Sequence, residues 1–131
     1  ARTERVRVLL AIALGSALGG VARYLAGALV HAGVARTFPY GTMAVNVAGC
    51  ALIGLAWVLL AARGEAGELP RAFLLVGVLG GFTTFSAFSL ETLLLVEQQA
   101  FGKAAVYVAG SVAACIVATW AGMQLGRHWL A

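Results

Sequence analysis

The residues with chemistry to offer fall in three places. One is the run Gly80-Gly81-Phe82-Thr83-Thr84-Phe85-Ser86-Ala87-Phe88-Ser89, where two glycines and four hydroxyl residues interrupt an apolar segment. Glycine loses much backbone freedom in a helix, and Ser and Thr offer the backbone competing hydrogen bonds, so this composition predicts a broken helix. In hydrocarbon, freed backbone groups are tolerated only where they are buried in protein or line a polar cavity. Broken helices near the bilayer midplane are a recurring way to build ion sites. The second place is Thr42, Asn46 and Cys50. The third is Tyr107, Ser111, Cys115 and Thr119. Both sets recur every four residues, which puts each on one face of a helix.

These groups suit an ion path. Hydroxyl O–H and amide N–H groups donate to a small anion. Phe85 and Phe88 are three apart and project to nearly the same side, and an aromatic ring carries a positive edge. Carbonyls freed near Gly80 and Thr83 have the opposite polarity and suit a small hard cation such as Na⁺. Each residue also has an ordinary reading. Phe82, Phe85 and Phe88 serve as packing groups, and Thr42, Ser111 and Thr119 as helix-bridging hydroxyls. Asn46 fits either role. Only the combination across three segments favours a polar track. Two charges stand inside apolar segments. Arg23 either snorkels to the interface or draws anions to a vestibule. Glu91 either bonds hydroxyls of a neighbouring helix or caps the track. With so few charges, neither an acid proton relay nor a carboxylate-ringed cation pore is expected.

The elements that must hold these residues are membrane helices. The 131-residue chain is 62% hydrophobic and 11% charged, against about 25% charged in a soluble domain. Four spans are expected, at about Val6–Val30, Gly41–Ala62, Pro70–Val96 and Lys103–Trp129, within one transmembrane domain over 1–131. Each exceeds the roughly 20 residues that cross about 30 Å of hydrocarbon. The first apolar run is too long for a cleavable leader. No internal repeat is found, so any inverted symmetry must come from a second subunit. Six arginines (Arg2, Arg5, Arg7, Arg63, Arg71 and Arg127) fall on the side of the termini and only Arg36 and Lys103 on the other. The positive-inside rule therefore puts both termini in the cytoplasm; Glu4, Glu65 and Glu68 on that side count for little. The net charge of +4 reads as headgroup attraction, with no nucleic-acid partner. Cys50 and Cys115 read as small packing residues, and His31 and His128 carry no assigned chemistry. Gly15 and Gly19 have the GxxxG spacing that lets helices approach closely.

Three segments together resemble the small fluoride channels called Fluc or CrcB: Gly19-Gly20-Val21-Ala22-Arg23-Tyr24, then Gly41-Thr42-Met43-Ala44-Val45-Asn46-Val47-Ala48-Gly49, then Gly80 through Ser89 with Glu91. Length and four-span layout also match. The resemblance implies a passive channel exporting fluoride across the inner (plasma) membrane, built as an antiparallel dimer with two pores and a central structural Na⁺. It implies that Gly80 and Thr83 offer backbone carbonyls to Na⁺ and that Phe85 and Phe88 are the pore phenylalanines. It further implies that Asn46, Tyr107 and Ser111 line the fluoride path, that Thr42, Ser86 and Glu91 are secondary pore positions, and that Arg23 sits near a vestibule. Cys115 departs from the family, which often carries a hydroxyl there. The six-to-two charge bias also departs from what a sequence inserting both ways needs: either local acids dilute it and the subunit forms a homodimer, the first expectation, or the subunit has a fixed orientation and pairs with an oppositely inserted relative. The rival reading is a small four-span proton-coupled exporter, but the first span has no carboxylate. A non-transporting assembly subunit leaves the Gly-Gly interruption unexplained. No Ser/His/Asp set, metal cluster or phosphate loop points to an enzyme.

Overall fold

The computed structural model describes residues 1–64 and 67–131; Glu65 lies outside the described residues. Among those residues the chain is all helical, with four helices long and apolar enough to cross a membrane and no strand. Helix α1 covers Arg2–Gly33 and α2 covers Tyr40–Ala62. The third span comprises α3 (Glu68–Arg71), a π-helical stretch (Ala72–Leu79), α4 (Gly80–Phe82) and α5 (Phe85–Glu97). Helix α6 covers Phe101–Leu130. The helices run a few residues beyond the apolar stretches, because backbone hydrogen bonding continues into the headgroup zone. At 1.5 Å per residue, the 32 residues of α1 rise about 48 Å, which carries Arg2, Arg5 and Arg7 outside the hydrocarbon.

Small residues decide which helices touch. Gly15 and Gly19 are the buried residues of α1. A Cβ on Gly15 would strike the Phe73 carbonyl, and one on Gly19 would strike that of Val78. A Cβ on Gly77 would come 2.9 Å from Gly15 Cα, and one on Gly81 2.7 Å from the Ser16 carbonyl. Contacts therefore advance together along α1 and the third span, and the two run parallel with backbones nearly touching. The weak GxxxG signal is used in full. A second parallel pair forms between α2 and α6, where Gly54 lies on the Thr119 carbonyl and Gly122 on the Ala51 carbonyl. Without lipid-excluded apolar surface to drive association, such close packing is the main source of cohesion between membrane helices.

Beyond Phe82 the third span changes partner. Thr83 (φ −86°, ψ 154°) and Thr84 (φ −148°, ψ 113°) have extended dihedrals, and α5 starts afresh at Phe85. The π-helical stretch and α4 pack on α1, whereas α5 packs mainly on α6. There Phe88, Leu95, Ala104 and Tyr107 form a buried cluster. The outer faces remain apolar and exposed, with Leu14, Leu18, Val21 and Leu25 on α1 and Val112, Ile116 and Val117 on α6. For a chain of this kind, that surface meets lipid or another subunit.

Candidate functional site

The two extended threonines are held by side chains that replace the missing helical hydrogen bonds. Thr84 N–H donates to Asn46 Oδ1 at 2.7 Å, and Asn46 Nδ2 donates back to the Thr84 carbonyl at 3.0 Å. The Asn46 amide thus pairs with one residue as a neighbouring strand would. Thr84 Oγ1 accepts from Ala87 N–H at 3.1 Å and caps α5. Thr83 Oγ1 folds back onto the Leu79 carbonyl at 3.0 Å. The Thr83 methyl fits against Gly49, where any Cβ would collide with it.

This bonding pattern leaves specific carbonyls free. In a continuous helix Gly80 C=O would accept from Thr84 N–H, which is committed to Asn46. Thr83 C=O would accept from Ala87 N–H, which is committed to the Thr84 hydroxyl. By contrast, Gly81 C=O is satisfied by Arg23 Nε at 3.1 Å and Thr84 C=O by Asn46. Gly80 is exposed on the subunit surface.

A groove of about 290 Å³ opens beside the break. Its walls include Asn46, Thr83, Phe85, Phe88 and Ser111. Phe88 is buried, whereas Phe85 is 76% exposed at the groove mouth. Their ring centroids lie 5.4 Å apart at 44°. Ser111 is only 5% exposed, and its Oγ is a buried hydroxyl with no protein partner among the described residues. A buried hydroxyl without a partner is uncommon, and this one belongs to a residue of the groove wall.

A second cavity shares Thr84 with this groove. Here Arg23, His31, Arg36, Thr42 and Glu91 converge. Arg23 has not snorkelled away: it caps α4 through Gly81 while facing this cavity, a favourable location for a cation at a helix C-terminus. His31 was expected to carry no chemistry; its Nε2 accepts from Gly41 N–H at 3.2 Å and so satisfies an orphan donor at the start of α2.

Glu91 ties three helices. Thr42 Oγ1 of α2 donates to its Oε1 at 2.7 Å, and the Tyr107 hydroxyl of α6 donates to its Oε2 at 2.6 Å. Tyr107 is fully buried, with its ring 5.1 Å from that of Phe88. It backs the phenylalanine groove and is not among the groove's lining residues. Ser86 lies exposed, with Oγ 3.3 Å from Thr84 Oγ1. The structure therefore gathers Asn46, Thr83, Phe85, Phe88 and Ser111 at one groove and Arg23, Thr42 and Glu91 at the adjoining cavity. The sequence places Thr84 in the polar run; its N-cap role, signalled by a Thr directly before a helix start, and its pairing with Asn46 emerge from the structure.

Residues 10–123 match the family described as "CrcB-like protein, Camphor Resistance (CrcB)". The chain belongs to that family. It is 48% identical over 124 residues to the "Fluoride-specific ion channel FluC" of Phenylobacterium zucineum, covering 94% of this chain and 98% of that protein. It is 47% identical over 117 residues to the protein of the same name from Agrobacterium fabrum, covering 89% and 94%. With the Geobacter sulfurreducens protein, likewise so named, identity is 48% over 120 residues, covering 92% and 97%. Family membership and four apolar helices make the chain a multi-pass membrane protein, which in a bacterium resides in the inner membrane. The relatives carry the name of a channel, a non-enzymatic function.

Proposed function

We propose that the chain is a subunit of a passive, fluoride-selective channel that exports fluoride from the cytoplasm. The observation that carries this reading is the groove at the helix break, lined together by Phe85, Phe88, Asn46 and Ser111, whose hydroxyl has no protein partner among the described residues. Fluoride holds its water tightly, so a narrow path must replace that shell with donors and positive ring edges yet bind weakly enough to release. Arg23 and Arg36 raise the anion concentration in the adjoining cavity, and the ion passes the Asn46–Thr84 pair into the groove.

The working unit is an antiparallel dimer, a homodimer in the first instance, with the break near the bilayer midplane. Two features support it: the exposure of Phe85, which one subunit leaves uncovered, and the Gly80 and Thr83 carbonyls whose helical donors are committed elsewhere. These carbonyls would hold a structural Na⁺ shared between subunits, and that fixed charge makes the surrounding field favour anions. The proton-coupled alternative would rest on Glu91, but both of its carboxylate oxygens are occupied by hydroxyls of other helices.

Fluoride efflux from liposomes holding the purified protein, followed with a fluoride electrode and repeated with chloride, tests the reading. Rapid fluoride release without chloride release and without a proton gradient is expected, and it would make this one subunit sufficient. Release only with proton coupling would replace the channel by a transporter. No release from the protein alone, or from the protein paired with an oppositely inserted relative, would refute the function.

A further inference from the structure

Thr42 faces Tyr107 across Glu91, Asn46 and Ser111 share the groove, and Gly54 lies on Thr119. Because α2 and α6 run parallel at a constant offset, the rung between these pairs is Cys50 with Cys115. Both line the groove that contains Phe85 and Phe88. Both are free and partly exposed, so the groove gives them a route to solutes.

We propose that Cys50 and Cys115 form a two-sulfur site for a soft d¹⁰ cation such as Hg(II), Ag(I) or Cu(I), and that its occupancy blocks the groove. Thiolates select soft metals. Zinc would need four ligands, and no group of three or more His, Cys, Asp or Glu residues suited to a metal occurs among the described residues. A d¹⁰ ion that accepts linear coordination needs only two sulfurs. Each thiol releases its proton to water as its S–metal bond forms, and no electron changes hands, so no oxidant is required. The remaining walls at this level, Val112 and Ile116, offer the ion nothing else. A cation held there stands in the space assigned to the anion. The block therefore rests on the proposed channel function, whereas the binding does not.

The test titrates the purified protein with mercuric nitrate, following the thiolate-to-mercury ultraviolet band and the protection of thiols from maleimide. One mercury per chain with both thiols protected is expected in the unaltered protein. Cys50→Ala and Cys115→Ser should each abolish that stoichiometry. Two mercury ions per chain, one per two chains, or unchanged binding in the Cys50→Ala/Cys115→Ser double variant would overturn the site. In liposomes the bound metal should abolish or strongly reduce fluoride efflux, and a thiol competitor should restore it. The double variant should keep its own untreated rate when metal is added. Stoichiometric binding with undiminished efflux would overturn the block while leaving the site. If untreated protein moves no fluoride, the proposed function fails, and the mercury stoichiometry still decides the site.

Discussion

Replacing Asn46 with alanine removes the side chain that mends the helix break. Two hydrogen bonds are lost, the one from Thr84 N–H at 2.7 Å and the one to Thr84 C=O at 3.0 Å. A side-chain bond between membrane helices contributes about 0.6 kcal/mol on average and up to about 1.7. A buried backbone group left unpaired costs about 1–3 kcal/mol. Asn46→Ala should therefore destabilise the fold by roughly 2–3 kcal/mol, unless Thr84 N–H swings back to Gly80 C=O and closes the helix. Closure would remove a carbonyl from the proposed Na⁺ site, so fluoride flux should fall by either route. Asn46→Asp separates the two functions. It keeps an acceptor for Thr84 N–H but sets an ionised oxygen against Thr84 C=O where a donor stood, so it holds the break only from one side and should also lose stability. Its negative charge beside the anion path should still impair conduction. Stability is read by SDS titration with tryptophan fluorescence from Trp57, Trp120 and Trp129, and flux by the fluoride electrode. If Asn46→Ala unfolds within about 0.5 kcal/mol of the parent and conducts normally, the amide does not hold the break and the reasoning fails.

Phe85→Ile and Phe88→Ile should each abolish or strongly reduce fluoride flux while the proposed dimer stays intact on size exclusion. Only Phe88→Ile, buried against the Tyr107 ring, should also lower stability, by about 1 kcal/mol. Undiminished flux in both would remove the phenylalanines from the path. Tyr107→Phe and Thr42→Val each take one hydroxyl from Glu91 and should cost about 1–3 kcal/mol apiece. Because they share one carboxylate, their effects should depart from additivity by at least about 0.5 kcal/mol, and a strictly additive double-mutant cycle would argue against the shared site. Gly122→Val should destabilise by about 2 kcal/mol or more, since its Cβ would meet the Ala51 carbonyl; wild-type stability would show that the α2–α6 seam can open freely.

The sequence by itself determined that the chain spans a membrane four times, because apolar length and the scarcity of charge allow no other solvent. It also marked where the third span breaks composition, since Gly80-Gly81 and the following threonines are poor helix residues. It put Thr42, Asn46 and Cys50 on one face and Tyr107, Ser111 and Cys115 on another, because helical periodicity is a local property. The tertiary structure alone decided how the faces meet. Glycine contacts set α2 parallel to α6 in the register that brings Cys50 and Cys115 to one groove, and periodicity within one helix carries no information about register with another. It also decided that Asn46 holds the backbone of Thr84, that Arg23 caps α4 through Gly81, and that Glu91 joins α2 and α6. Hydrogen-bond partners 16 to 58 residues away along the chain follow from packing, and no local pattern of residue types encodes them.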